Sequence, residues 1–263
     1  MRPAWPTTRY RGGVLAEFHR DGHAVIRGVI RGAELAAFHD VFLAVIPELA
    51  YPRGPDGIVR EVTGVARGYE PLARIAQDPR FGALVAGVLG AQRVQLLQDS
   101  LLYKPGYDGG SVEWHQDRTY IGYLVPTQVA TLRIALLPED EDNGCMRVVD
   151  RSHHWGEIGI DRSLTASSVA SLLPSLTAAQ LEQLATARSL ALEPGDVSIH
   201  HCLTLHGSPP NTSARPRRTI VLRMFDATCR LDRARLPAGA KAYFPVDPDG
   251  HLDPAAFPIV HDG

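Results

Sequence analysis

Apolar residues recur at helical spacing through the first third of the chain, which predicts a mostly helical flank. The segment VLAEFHRDGHAVIRGVIRGAELAAFHDVFLAVIPEL predicts a helix, a β-branched strand around residues 24–30 and a second amphipathic helix. A further helix is predicted over residues 70–89. Residues 1–92 are therefore expected to form helices with one inserted strand.

From Val94 onward the pattern changes to short β-rich runs separated by Gly, Pro, Asn and Asp. These runs are VQLLQDSLLYK, QVATLRIALL, GCMRVVD, SLALEPGDVSIHH and RTIVLRMFD, and they predict a small antiparallel barrel or sandwich over residues 93–226. A helical insertion is predicted at 164–188, where Thr177 and Gln180 form a capping-box pattern before AAQLEQLATA. Residues 227–263, rich in Pro, Gly and Asp from Pro237 onward, are expected to form an extended covering segment.

The composition indicates that these segments belong to one domain. The 263 residues are 44% hydrophobic and 21% charged, so the chain can bury one sizeable core, and no compositional break divides it. We therefore interpret residues 1–263 as a single domain of mainly β structure with flanking helices.

Charge and cysteine content limit which binding partners and which cellular compartment we expect. The 27 basic residues nearly balance the 29 acidic ones, so no polybasic field favours nucleic acid or a membrane surface as a partner. No run approaches the roughly 20 apolar residues of a membrane span, and the start MRPAWPTTRYRGG lacks the apolar stretch of a signal peptide. Cys145, Cys202 and Cys229 lack CxxC spacing and are expected to be buried thiols in a reducing compartment. We expect a cytoplasmic protein.

A candidate metal site is indicated by a His and an Asp two residues apart. Residues i and i+2 of an extended backbone point to the same side, so His115 and Asp117 can reach one ion. His206, at the end of a predicted strand, is the candidate third ligand. Two imidazoles and one carboxylate on one face leave open positions, as in non-haem iron(II) oxygenases. The same three ligands also suit catalytic zinc, and an H-x-D pair alone is compatible with a surface loop.

Five stretches, taken in order and with their spacing, resemble the phytanoyl-CoA dioxygenase family. They are LLYKPG, WHQD, NGCMRVVDRSHHWG, GDVSIHHCLTLHGSPPN and RPRRTIVLRMF, and the resemblance extends over roughly residues 18–225. It implies a double-stranded β-helix, that is a cupin-like jelly roll, in which His115, Asp117 and His206 hold iron(II). It further implies 2-oxoglutarate and O₂ as co-substrates and a small molecule as substrate.

The same resemblance implies residues that bind 2-oxoglutarate. Arg217 corresponds to the family's 2-oxoglutarate-binding arginine, and Ser208 to a serine that contacts the co-substrate. The physical case agrees, because a planar guanidinium can hold the far carboxylate of 2-oxoglutarate by a bidentate charge-assisted pair. Arg218 is adjacent, should point the opposite way on a strand, and is kept as the alternative anchor.

Four side chains on or beside the strands that carry the ligands are expected to line the pocket. Gln98 and Arg133 are assigned to the co-substrate, and Tyr103 and Trp114 to the substrate. Arg133 stands where family members often carry Trp. Facing inward it would hold an anionic or carbonyl group, and facing outward it would be an ordinary surface arginine. The loop PGYDGGSVEW is expected to form part of a lid.

The presence of Asp117 also bears on the type of oxidation. Halogenases related to this family replace this carboxylate with a small residue so that chloride can enter, so Asp117 favours hydroxylation, desaturation or ring formation over chlorination. Two rival interpretations are a zinc hydrolase or cupin-type isomerase and a non-catalytic protein that keeps the fold. A zinc enzyme or isomerase has no need of Arg217 and Ser208 at these positions, and the intact ligands and arginine argue against a non-catalytic protein. The nearby histidines are assigned packing or supporting roles: His153, His154, His200 and His201.

Overall fold

The computed structural model describes residues 8–46, 60–107, 110–158, 172–236 and 243–263. Its core is made of two antiparallel sheets. The helices are α1 Thr8–Asp21, α2 Gly32–Val45, α3 Glu70–Ala76, α4 Pro79–Leu89, α5 Arg118–Ile121 and α6 Ala178–Leu184. The strands are β1 His23–Ile26, β2 Arg60–Thr63, β3 Arg93–Lys104, β4 Val112–His115, β5 Leu124–Val125, β6 Val129–Ala135, β7 Arg147–Val148, β8 Arg188–Ser189, β9 Val197–His201, β10 His206–Ser208, β11 Arg217–Asp226, β12 Arg230–Leu231 and β13 Ile259–Asp262.

The two sheets have the arrangement of a jelly roll. The larger, seven-stranded sheet has the order β1-β9-β6-β11-β3-β13, and β2 also pairs with β3. The smaller, four-stranded sheet has the order β4-β10-β7-β8. The expectation of a mainly β fold with flanking helices is confirmed.

Alternation along β6 and β11 gives the larger sheet one apolar and one polar face. Thr131 and Arg133 of β6 and Thr219 of β11 point to the polar face, where they contact Asp117 and Glu139. The apolar face packs against the helical flank, and burial of each such side chain contributes about 1.5–3 kcal/mol. Its central residues are Ala130, Leu132, Ile134, Ile220, Leu222 and Met224. The polar face is therefore enclosed between the sheets, where a site can form.

The helical flank differs from the prediction in two respects. The helix expected over 70–89 is divided into α3 and α4, because Pro79 begins a new helix and the Asp78 side chain caps it by accepting from the Arg80 amide at 2.9 Å. The flank also contains a second strand, β2, so the expectation of a single strand was wrong. Its pairing with β3 is a long-range contact that local sequence does not report.

The insertion and the tail are described in part. The capping box of α6 is confirmed, since the Gln180 amide donates to the Thr177 hydroxyl at 3.3 Å and the Thr177 amide donates to Gln180 Oε1 at 2.9 Å. Residues 159–171, in which the predicted insertion begins, lie outside the described residues. Residues 227–263 were expected to form only a covering segment, but their strand β13 joins the edge of the larger sheet beside β3. Within the described ranges, no helix has the length and apolar character needed to cross a membrane.

Candidate metal and co-substrate site

Two histidines face each other across neighbouring strands of the smaller sheet. His115 ends β4 and His206 begins β10, and the strand register pairs these two residues directly. Directly opposed side chains in an antiparallel pair lie within contact distance. Their ring centroids are accordingly 4.2 Å apart, and both residues are buried.

Asp117 joins the histidines by a backbone turn rather than by strand geometry. Its φ of −55° and ψ of −30° are helical, because α5 begins immediately after it. The sequence predicted that an extended backbone would place His115 and Asp117 on one side, but the backbone at Asp117 is helical, so that reason was wrong. The carboxylate still converges with the imidazoles: Asp117 Oδ1 lies 3.9 Å from His115 Nε2 and 4.0 Å from His206 Nε2. Each of the three residues offers one possible ligand atom, and these three atoms lie within 4.8 Å of one another.

Backbone carbonyls fix the orientation of both imidazoles. His115 Nδ1 donates to the Glu113 carbonyl at 2.7 Å, and His206 Nδ1 donates to the Thr204 carbonyl at 2.9 Å. With the proton held on Nδ1, the Nε2 lone pair of each ring points toward Asp117. This is the tautomer that a metal ligand requires.

The Asp117 carboxylate is held by one oxygen and has no hydrogen-bond partner at the other. Oδ2 accepts from the Thr131 hydroxyl and from His200 Nε2, the latter at 3.1 Å. Among the described residues Oδ1 has no hydrogen-bond partner, although it is buried. An unsatisfied buried carboxylate oxygen is costly, and a divalent cation beside the two Nε2 atoms would remove that cost. The three side chains therefore fit a metal ion with protein ligands on one side.

Burial and nearby charge set the protonation states of these ligands. Burial lowers the pKa of His115 and holds that of His206 well below its ordinary value, so both imidazoles are neutral. Burial acts to raise the pKa of Asp117, but the charge of Arg223 and the hydrogen bond from His200 outweigh it and hold that pKa well below the usual range. Neutral imidazoles and an ionised carboxylate are the forms that bind metal.

A buried cationic corner lies at the beginning of β11. Arg217 pairs in register with Lys104 of β3, and its Nη1 donates to the Gly144 carbonyl. Its Nε has no hydrogen-bond partner among the described residues, although Arg217 is only 2% exposed. Lys104 Nζ donates to the Ser208 hydroxyl at 3.0 Å. The expected neighbours Arg217 and Ser208 are thus brought to one corner, with a lysine that the sequence interpretation did not include.

Arg133 faces inward, into the same corner. Its Nη2 donates to Glu139 Oε2 at 2.9 Å, and both side chains are buried. Burial lowers the pKa of Arg217 to about 10, with the charge of Glu139 opposing this change and that of Arg133 adding to it. The described residues of this corner thus include three cations, Arg133, Arg217 and Lys104, and one carboxylate, that of Glu139. The excess positive charge suits the carboxylate of a bound ligand.

Arg218 and Tyr103 lie on the opposite face of their strands. Arg218 contacts His39 of α2 through its guanidinium, which also lies 5.8 Å from the centre of the Tyr103 ring. Tyr103 packs in the core beneath the helices. The expected substrate contact at Tyr103 is therefore corrected, because alternate residues of β3 face opposite sides and the enclosed face is that of Ser100 and Lys104.

The expected substrate contact at Trp114 is wrong for the same reason. It precedes His115 on β4 and therefore points to the other face of the smaller sheet. There it packs in a separate apolar cluster, with the Arg147 guanidinium 5.9 Å from its ring. The structure does not bring Trp114 to the metal ligands. Residues 108–109 of the expected lid lie outside the described residues.

Gln98 lies near the metal ligands but not in the cationic corner. It pairs in register with Arg223 of β11, and its Oε1 accepts from Arg223 Nη1 at 3.2 Å. Arg223 Nη2 lies 3.6 Å from Asp117 Oδ1. The assignment of Gln98 to the co-substrate therefore stays a prediction. Arg223 and Thr131 were missed, yet the alternation that places Arg217 and Arg133 inward also places these two inward.

With this geometry established, comparison with known proteins places the chain in a family. The family model described as phytanoyl-CoA dioxygenase matches residues 18–219, and the chain belongs to that family. An ectoine dioxygenase from Sphingopyxis alaskensis is 25% identical over 237 residues, which cover 83% of this chain and 76% of that protein.

Solved structures share the fold at low sequence identity. The epimerase SnoN in complex with Fe³⁺, alpha ketoglutarate and nogalamycin RO superimposes with a TM-score of 0.76 at 20% identity, over 97% of this chain and 100% of that chain. EctD from S. alaskensis with bound Fe gives a TM-score of 0.68 at 22% identity, over 88% of this chain and 81% of that chain. These comparisons confirm the cupin-like jelly roll expected from the sequence.

Proposed function

We propose that this protein is an iron(II)- and 2-oxoglutarate-dependent dioxygenase that hydroxylates a C–H bond of a small or medium organic molecule. The observation that carries the proposal is the buried Asp117 Oδ1, which accepts no hydrogen bond from the described residues and is faced by the Nε2 atoms of His115 and His206. Membership of a dioxygenase family supports the same chemistry. SnoN, whose fold this chain shares, is an enzyme of nogalamycin biosynthesis, and we extend the proposal to a natural-product intermediate as the substrate.

In this proposal each part of the site has a separate task. His115, Asp117 and His206 would hold iron(II) on one side and leave its other side open. Iron bound with 2-oxoglutarate supplies the oxidising chemistry, which consumes O₂ and releases succinate and CO₂. Arg217, assisted by the Ser208 hydroxyl, binds the far carboxylate of 2-oxoglutarate.

Side chains that contact the ligands and the cationic corner keep this site rigid. Thr131 and His200 hold Asp117 Oδ2, so the other oxygen of the carboxylate stays directed at the metal position. The Arg133–Glu139 pair, buried beside Arg217, fixes the wall of the cationic corner. Because these groups are buried between the sheets, bulk water is kept from the reacting atoms and the substrate is oriented by contacts with the protein.

Two features favour this function over its rivals. A zinc hydrolase or isomerase has no use for the buried positive charge of Arg217 and Lys104, whereas a dicarboxylate co-substrate does. Asp117 occupies the coordination position that chloride would need in a halogenase. Hydroxylation is therefore proposed over chlorination.

The fate of O₂ tests the reaction type. A screen of candidate substrates, followed by succinate formation with iron(II) and 2-oxoglutarate, identifies a substrate, and the reaction is then run under ¹⁸O₂ with added chloride. We expect one ¹⁸O atom in succinate, one in a hydroxylated product, and no chlorine in the product. Asp117→Gly should lose most activity, because it removes a ligand and its charge, and should chlorinate at most in traces.

Other outcomes of this experiment separate the alternatives. Label in succinate alone would indicate desaturation, ring closure or epimerisation, and would replace hydroxylation while leaving the metal assignment in place. A chlorinated product from the unmodified protein, or turnover without any need for 2-oxoglutarate, would contradict the proposed function.

A further inference from the structure

Arg223 is a half-buried cation beside the metal ligands for which neither iron nor 2-oxoglutarate gives a direct role. Its side chain is 16% exposed, and its Nη2 lies 3.6 Å from Asp117 Oδ1. Nη1 lies 3.2 Å from Gln98 Oε1, 3.4 Å from Ser100 Oγ and 3.8 Å from Glu61 Oε1. Asp117 is thus the nearest anion, and Glu61 lies beyond hydrogen-bond distance.

The position of Arg223 along β11 separates it from the co-substrate corner. Arg217 and Arg223 project into the same enclosed space, and at about 3.3 Å per residue their positions on the strand are roughly 20 Å apart. Arg217 lies at the Ser208 and Lys104 end, whereas Arg223 lies at the Asp117 end. The far carboxylate of a 2-oxoglutarate anchored at Arg217 therefore lies away from Arg223, whose guanidinium can contact a second molecule beside the metal.

Metal binding changes the electrostatic balance around this guanidinium. A divalent cation held by Asp117 Oδ1 offsets the charge that faces Arg223. The remaining hydrogen-bond acceptors among the described contacts, Gln98 and Ser100, are neutral. Glu61 forms an ion pair with Arg223 at 3.8 Å but is too distant to accept a hydrogen bond, and its side chain is 39% exposed. A half-buried guanidinium whose remaining anion is this exposed and loosely paired carboxylate is poorly compensated, so the metal-loaded site gains from an added anion.

Tyr120 contributes a second polar group beside the metal ligands. Its ring lies edge-on to His115, with centroids 5.7 Å apart. Its hydroxyl is buried and has no hydrogen-bond partner among the described residues. A phenolic hydroxyl keeps its proton at neutral pH and can donate a hydrogen bond to an acceptor. An anionic oxygen between Arg223 and Tyr120 would satisfy both groups.

We infer that the substrate of this protein carries a carboxylate, which Arg223 binds together with the Tyr120 hydroxyl beside the metal and away from the co-substrate corner. The inference rests on the proposed function, since it requires metal and 2-oxoglutarate to be bound first. Arg223 is then a specificity-determining residue, and Glu61, whose Oε1 lies 3.8 Å from Arg223 Nη1, opposes the binding of anions.

Matched pairs of small ligands test this inference without knowledge of the natural substrate. The probes are acetate, benzoate and phenylacetate, each compared with its primary amide, titrated into anaerobic protein that holds iron(II) and saturating 2-oxoglutarate. Calorimetry measures the probe affinity, and the visible charge-transfer band reports whether 2-oxoglutarate stays bound. We expect at least one carboxylate to bind about tenfold or more tightly than its amide, as for one charge-assisted hydrogen bond.

Charge variants then locate the bound carboxylate. Arg223→Gln should abolish the difference between carboxylate and amide, Arg223→Lys should retain part of it, and Glu61→Gln should increase it. Arg93→Gln, which removes an exposed arginine paired with Asp262, is the control and should leave the difference unchanged.

Each contrary outcome has a distinct meaning. An absent charge-transfer band would reject the proposed function itself. With the band present, equal affinity for carboxylates and amides would overturn the inference. Loss of the band on adding a carboxylate would mean that the anion competes at Arg217, which also overturns it. If Arg223→Gln weakened iron binding but left the carboxylate preference intact, Arg223 would serve only to hold Asp117.

Discussion

His206→Ala abolishes turnover and weakens iron(II) binding by roughly a hundredfold or more, because loss of outer-shell partners alone costs about 10–100-fold. His115→Ala behaves in the same way, since the two imidazoles face one Asp117 oxygen from neighbouring strands. Both variants keep the fold, because the apolar core beneath the helices does not include either residue. Anaerobic titration with iron(II) measures the binding, and circular dichroism measures the fold.

The control for the histidine variants is His154→Ala, which removes an exposed imidazole. It should bind iron(II) as the unmodified protein does. Iron affinity that is equal in all of these proteins would remove His115 and His206 from the metal site.

Arg217→Ala raises the apparent 2-oxoglutarate constant by roughly ten- to a hundredfold, because one hydrogen-bonded pair with a charged group contributes about 1.5–3 kcal/mol. Arg218→Ala should change it much less, since its guanidinium contacts His39 on the helical side of the sheet. The measurement is the 2-oxoglutarate dependence of the charge-transfer band at fixed iron(II). A larger effect from Arg218 than from Arg217 would exchange the two assignments.

The features predicted from sequence are those that depend on local pattern. Short β-rich runs predicted β3, β6, β7, β9 and β11, and the Thr177–Gln180 spacing predicted the cap of α6. The strands β2, β4 and β13 were not predicted, and β4 begins within the loop that was expected to form part of a lid. The candidate ligands His115, Asp117 and His206 converge in the structure because β4 and β10 pair directly. That pairing joins distant parts of the chain, and the sequence indicated it only through the family resemblance.

The incorrect predictions concern faces and long-range pairing. Alternation shows which residues share a face of a strand, but the packing of the helical flank decides which face is enclosed. Tyr103 and Trp114 were therefore assigned to the pocket although both point away from it. Arg223 and Thr131 were missed although both point inward. The turn at Asp117 into α5 follows from tertiary contacts that no local motif reports.

One anaerobic titration tests the central claim that this site binds iron(II) together with 2-oxoglutarate. The unmodified protein should develop a weak visible charge-transfer band only when both iron(II) and 2-oxoglutarate are present. The band should decay on admission of O₂, with formation of succinate. Asp117→Ala, which removes the unpartnered oxygen between the two Nε2 atoms, should give little or no band under the same conditions. Absence of the band in the unmodified protein, or a band of equal strength in Asp117→Ala, would contradict the account.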